Sequence, residues 1–221
     1  MTDVAEASQA KKPKPRLGAS YWKLWTSSVI SNLGDGVTTI ALPWLSSAVT
    51  RNAILIALVG VAGRIPWLVF SLPAGVITDR LDRRKIMVAS QVTRALLMVT
   101  VAAAVLYYQS SLPDPVDVEG GAVTENFVLY GLIVIVSLLF GMAEVLYDNS
   151  AQTILPAMVE PEGLERANGN LWGAEMVMNS FVGPPLGSVL IGVAFALPFA
   201  FDAVTFGVAA VLIFLIAGDY R

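Results

Sequence analysis

Leu72 to Met87 reads LPAGVITDRLDRRKIM, a short stretch of guanidinium and carboxylate groups set between two long apolar runs. Within it Gly75 is followed after three residues by Asp79 and Arg80, and after two more by Arg83, Arg84 and Lys85. A glycine at the end of an apolar helix leaves room for a neighbouring helix to approach without a side chain in the way. Asp79 falls where that helix leaves hydrocarbon and can meet a positive helix N-terminus or an arginine. The cluster of basic residues marks a connection on the cytoplasmic side of a membrane.

Outward from this loop, apolar runs extend from Ala53 to Thr78 and from Ile86 to Tyr108. Four more follow the same pattern: Trp25 to Val49, Phe127 to Tyr147, Leu171 to Phe195 and Phe199 to Ala217. Each is long enough to cross about 30 Å of hydrocarbon at roughly 1.5 Å per helical residue. Polar residues or prolines interrupt the first, second and fifth. No run alternates with period two, and all are about twice the length of a barrel strand. The fold class is therefore an all-α membrane protein with six transmembrane helices. At 56% hydrophobic and 14% charged residues, the 221-residue chain is too apolar for an ordinary water-wrapped domain. It contains neither Cys nor His, so disulfides, thiolate sites and imidazole chemistry are excluded, and any proton chemistry falls to carboxylates. No metal, cofactor, enzymatic activity or nucleic-acid partner is expected.

Lys and Arg set the orientation. Lys11, Lys12, Lys14, Arg16 and Lys23 precede the first helix, the quoted loop carries four more, and Arg166 and Arg221 lie on the same side. The opposite side holds only Arg51, and its loop from Gln109 to Asn126 carries four acidic residues and no basic one. Both termini are expected to be cytoplasmic in a multi-pass plasma or inner membrane protein. Residues 1–23 read as a disordered basic arm, 24–218 as one six-helix domain and 219–221 as the start of a cytoplasmic linker.

The spacing GxxxDRxxRRK between the second and third of six helices resembles the signature loop of the major facilitator superfamily of secondary transporters, with Asp82 standing where Gly is more usual. The resemblance implies a cytoplasmic latch formed by Gly75, Asp79, Arg80, Arg83 and Arg84, with Asp148 pairing to Arg83. In the fifth run, Gly183, Pro184, Pro185 and Gly187 resemble the glycine and proline motif of the superfamily's antiporters. Small residues there allow close packing and Pro introduces a bend. Asn149, Leu155, Pro156, Glu165, Ala167 and Asn168, with Asp202, Ala203 and Phe206, further resemble the exporter branch that includes siderophore and macrolide efflux proteins. The fold implied is the amino-terminal half of a twelve-helix transporter, built as 3+3 inverted repeats.

Charges inside the spans cost at least about 2.5 to 3.5 kcal/mol each on insertion scales and need a reason to be there. Asp35, between Gly34 and Gly36, and Arg64 both fall near the midplane. They are placed to pair if their faces meet, either as a permanent structural ion pair or with Asp35 as a protonatable, substrate-contacting carboxylate. Glu144 and Asp148 are four apart and share a helix face, Glu144 the deeper of the two. Glu175 and Arg94 are expected to extend to water near the cytoplasmic face. The cavity arginine that many antiporters of the superfamily carry in the fourth helix has no counterpart in VLYGLIVIVSLLFG.

The resemblance implies secondary active efflux of small amphipathic organic molecules by alternating access, coupled to protons. Asp35, Arg64 and Glu144 would line the cavity. The implied partners are a small-molecule substrate, the lipid bilayer and a carboxy-terminal six-helix half or a second copy. As an isolated half, the chain is expected not to transport. The alternative from another class is a non-transporting six-helix scaffold or regulatory partner.

Overall fold

The computed structural model describes residues 17–218 and 220, and every regular element among them is helical. In chain order these are α1 (Ala19–Val49), α2 (Ala53–Val69), α3 (Ser71–Arg80), α4 (Arg83–Tyr107), α5 (Pro115–Glu119), α6 (Phe127–Met158), α7 (Leu164–Glu175), α8 (Gly183–Val193) and α9 (Leu197–Phe214). A 3₁₀ turn at Pro161–Gly163 leads into α7, and a wide π-helical stretch, Met176–Val182, joins α7 to α8. The run from Pro161 to Val193 therefore forms one 33-residue span. That span, α4, α6 and α9 are each long and apolar enough to cross a membrane, and α2 with α3 forms a fifth, bent by 55°. The sixth segment, α1, has 31 residues but carries Asp35 and many hydroxyl side chains. Large apolar side chains such as Leu68, Leu72, Leu96, Ile135 and Val189 point outward from the bundle, the reverse of a water-soluble protein.

Local chemistry explains the interruptions. Pro73 lacks an N–H and its ring crowds the carbonyl four residues earlier, that of Val69, where α2 stops and α3 begins after Phe70. Pro184 and Pro185 likewise withhold N–H groups from the carbonyls of Ser180 and Phe181, and the turn before them widens. The expected proline bend in the fifth run is thus a π-helical stretch within a single span. Asp82, the departure from the family pattern, is the N-cap of α4, its side chain accepting hydrogen bonds from the backbone N–H groups of Arg84 at 2.9 Å and Lys85 at 3.3 Å.

The expected basic arm, 1–23, falls mostly outside the described residues. Residues 1–16 lie outside the described residues, as do 219 and 221. Residues 19–23, however, already belong to α1, with Tyr21 buried and its hydroxyl donating to the carbonyl of Ala167 at 3.1 Å. The fourth span extends to Met158, eleven residues past the expected limit at Tyr147, because the packed face Tyr147, Ser150, Ile154 and Leu155 continues at helical spacing past the polar Asp148, Asn149 and Gln152. The loop after α4 contains the short helix α5.

Two glycine crossings hold the helices together. A Cβ on Gly36 of α1 would lie 2.8 Å from the Cα of Gly183 on α8, and one on Gly187 would lie 2.9 Å from the carbonyl oxygen of Val37. On the other side of the bundle a Cβ on Gly141 of α6 would collide with the carbonyl of Gly63 on α2. The first span thus crosses the fifth as the fourth crosses the second, while α4 and α9, the third and sixth spans, pack on each other. This exchange of one, two, three for four, five, six is the arrangement of a 3+3 repeat. Beneath the crossings Leu45, Met98, Ile133, Phe199 and Phe206 form the main core.

Candidate functional site

Arg94 of α4 sits at the centre of the bundle and is only 1% exposed. Its guanidinium forms an ion pair with Asp35 of α1 and donates a hydrogen bond to Gln91 Oε1 at 3.2 Å. Phe140 of α6 and Phe206 of α9 enclose it, with ring centroids 4.6 and 4.2 Å from the guanidinium carbon, and Tyr147 closes the far side at 6.0 Å. The cation thus meets a carboxylate, an amide oxygen and the faces of aromatic rings, while its Nε has no hydrogen-bond partner among the described residues. This corrects two expectations. Arg94 does not extend to water, and Asp35 pairs with Arg94 instead of Arg64. The reason is the face of α4: Met87, Gln91, Arg94, Met98 and Val101 are buried at helical spacing, while Val92, Leu96 and Val99 point outward.

Arg64 of α2 is exposed and makes no ion pair among the described residues. It lines two adjoining chambers. The smaller, about 110 Å³, is walled by Asp35, Thr38, Arg64, Ser137, Phe140 and Glu144. The larger, about 290 Å³, is walled by Arg64, Trp67, Glu144, Asp148, Trp172 and Glu175. Arg64, Glu144 and Asn179 border both, so the chambers meet at these three side chains. Asp35, Arg64 and Glu144, expected to line one cavity, meet in the smaller chamber. Glu175 is exposed, as expected, and opens onto the larger chamber.

The signature loop is arranged differently from the expected latch. Asp148 faces the larger chamber, and no ion pair joins it to Arg83 among the described residues. Arg83 instead donates from its backbone N–H to the carbonyl of Tyr220 at 3.1 Å, and Arg84 donates to the carbonyl of Ile216. Lys23 donates to the carbonyl of Leu215 at 2.6 Å. Cations from α1 and α4 thus gather on the carbonyls at the C-terminal end of α9, where the helix dipole is negative. Asp79 and Arg80 are exposed, and a Cβ on Gly75 would meet no atom within 4 Å, so the close approach expected there is not made among the described residues.

One buried charge had no place in the sequence reading beyond family likeness. Asp202 of α9 is fully buried, and the hydroxyl of Thr38 donates to its Oδ2. The signal was available in the pattern: Asp202, Thr205, Phe206, Ala209 and Ile213 share the buried face of α9, whereas Val204, Val208 and Val211 point outward.

A family model described as transmembrane secretion effector matches residues 15–218. The multidrug efflux pump Tap of Mycolicibacterium fortuitum is 28% identical over 167 residues, which are 75% of this chain and 37% of that pump. The chain thus spans little more than a third of the length of this curated relative. No solved structure matches. With its helical bundle, its signature loop and a family match over nearly all of its described residues, the chain belongs to the transmembrane secretion effector family of major facilitator efflux transporters.

Proposed function

We propose that this chain forms the six-span half of a secondary transporter that exports small amphipathic organic molecules against an inward flow of protons. The observation that carries the reading is the pair of adjoining chambers whose inner wall ends on Asp35, the carboxylate held by the only buried guanidinium among the described residues. Trp67 and Trp172 offer apolar surface to a substrate, while Glu144, Asp148 and Glu175 offer charge against a single Arg64. A molecule with an apolar body and a polar or cationic end fits that lining. Six spans and the placing of basic residues support a multi-pass plasma membrane protein with both ends of the chain in the cytoplasm. Gly75, Asp79 and Arg80 remain open to helices of a second half on that side, with Arg84 bracing the end of α9.

Alternating access would open the chambers to each side in turn, with Asp35 releasing and regaining Arg94 as it gains and loses a proton. The test is efflux of a fluorescent amphiphile in everted membrane vesicles carrying the full-length protein. Accumulation driven by an imposed proton gradient, and lost in Asp35→Asn, is the expected result. Accumulation that survives collapse of the gradient, or that is indifferent to Asp35→Asn, would overturn proton coupling through this site.

A further inference from the structure

Asp35 and Asp202 are both buried in the interior of the bundle, and among the described residues Arg94 pairs with Asp35 alone. Asp202 Oδ2 is held by Thr38, while Asp202 Oδ1 is buried with no hydrogen-bond partner among the described residues. The helices packed on α9 are α1, α4 and α8. Asp35 is the charged group that α1 brings to this depth and Arg94 the one from α4, while α8 carries no ionisable residue. Across the aromatic enclosure α6 contributes Tyr147, and its Glu144 and Asp148, the other carboxylates near Arg94, turn to the chambers.

The three helices keep these groups in register. Asp35 and Thr38 are one turn apart on α1, as are Arg94 and Met98 on α4 and Asp202 and Phe206 on α9. Arg94 lies on the Phe206 ring, and the Thr38 hydroxyl that holds Asp202 also lies 3.7 Å from the Met98 sulfur. Asp202 therefore sits about one helical turn along the seam from the ion pair, roughly 5 Å. That is a distance an arginine side chain covers by changing rotamers. One guanidinium balances one carboxylate, and an unpaired charge in such surroundings is heavily penalised. The cluster is neutral only when it holds one proton.

We propose that Asp202 is a second proton site of this half and the alternative partner of Arg94. In one arrangement Asp35 holds the guanidinium and Asp202 holds the proton, sealed from the chambers. In the other the Thr38 hydroxyl has turned, accepted the proton of Asp202 and passed its own hydrogen to Asp35, and Arg94 has crossed to the Asp202 carboxylate. Both arrangements contain one proton and no net charge, so nothing is stranded in the apolar interior. What changes is access, because Asp35 and Thr38 line the smaller chamber and Asp202 does not. The proposal rests on the proton-coupled reading above.

The test is infrared spectroscopy of the full-length protein in lipid vesicles at neutral pH, with aspartate carboxyl carbons isotopically labelled to assign the carboxylic acid band. With Asp148→Asn placed in every sample, to remove the chamber-facing aspartate near Arg94, the otherwise wild-type protein is expected to show that band, and Asp202→Asn to lose it. Asp35→Asn should lose it too, because Arg94 then has Asp202 as its one carboxylate partner. The double variant Asp35→Asn with Arg94→Gln should regain it. Thr38→Val, which keeps the side-chain shape, should shift the band without removing it, and circular dichroism checks that each variant is folded. An otherwise wild-type protein without the band, a folded Asp35→Asn that keeps it, or an unshifted band in folded Thr38→Val would overturn the proposal. The spectrum needs no transported molecule. An intact band pattern with failed efflux would remove the transport reading alone, and a failed pattern in a protein that still exports would remove this proposal alone.

Discussion

Arg94 and Arg64 are the same group in opposite settings. Arg94 is enclosed by Phe140, Phe206 and Tyr147 and neutralised by Asp35, whereas Arg64 projects from α2 into the space where two chambers meet and has no carboxylate partner among the described residues. The difference teaches that depth along a span does not decide the role of an intramembrane charge; the face of the helix does. A guanidinium facing the helix packing becomes part of the framework, and one facing the chambers remains available to a ligand.

The largest expected effect comes from breaking the framework member. Arg94→Ala leaves Asp35 uncompensated in the interior and is expected to lower stability by about 3 to 5 kcal/mol, read as thermal or denaturant unfolding in detergent. Arg64→Ala, measured in the same way, should stay within about 0.5 kcal/mol. A smaller contrast sharpens the part played by close packing beside the ion pair. Gly36→Ala places a Cβ 2.8 Å from Gly183 and should cost roughly 1 to 3 kcal/mol. Gly192→Ala meets nothing within 4 Å and should instead stabilise α8 by about 0.5 to 1 kcal/mol. Asp82→Ala removes the cap at the start of the helix that carries Arg94, with an expected loss of about 1 kcal/mol in the same unfolding assay. Smallest in energy but most specific is accessibility. Because the chain has no native cysteine, a charged thiol reagent should modify Arg64→Cys readily and leave Arg94→Cys protected. Equal labelling of the two would erase the distinction between them.

Much of this architecture is legible in the amino-acid sequence. The apolar runs located the spans because length and composition suffice for that, and the signature loop pointed to the family because its glycine, carboxylate and guanidinium groups keep a fixed spacing. Asp35 and Arg64, near the middle of their spans, and Glu144, one turn deeper than Asp148, meet on one wall. The pairing was harder to read. Depth alone made Asp35 and Arg64 plausible partners, but α1 turns Asp35 toward α4, a rotation settled by the glycine crossing with α8 at the very next residue. The outward face of α4, Val92, Leu96 and Val99, carried the missing clue, since in lipid the apolar stripe faces out and the polar one faces in. The same inversion marks Asp202 on α9. The expected Asp148 to Arg83 contact depends on where the end of α9 lies, which no local pattern around α4 contains.

The most direct measurement is a pair of double-mutant cycles on unfolding stability, one joining Asp35→Asn with Arg94→Gln and the other joining Asp35→Asn with Arg64→Gln. Strong coupling in the first, on the order of 1 to 3 kcal/mol, with additivity within about 0.5 kcal/mol in the second, is the predicted result. Coupling between Asp35 and Arg64, with Asp35 and Arg94 additive, would contradict it.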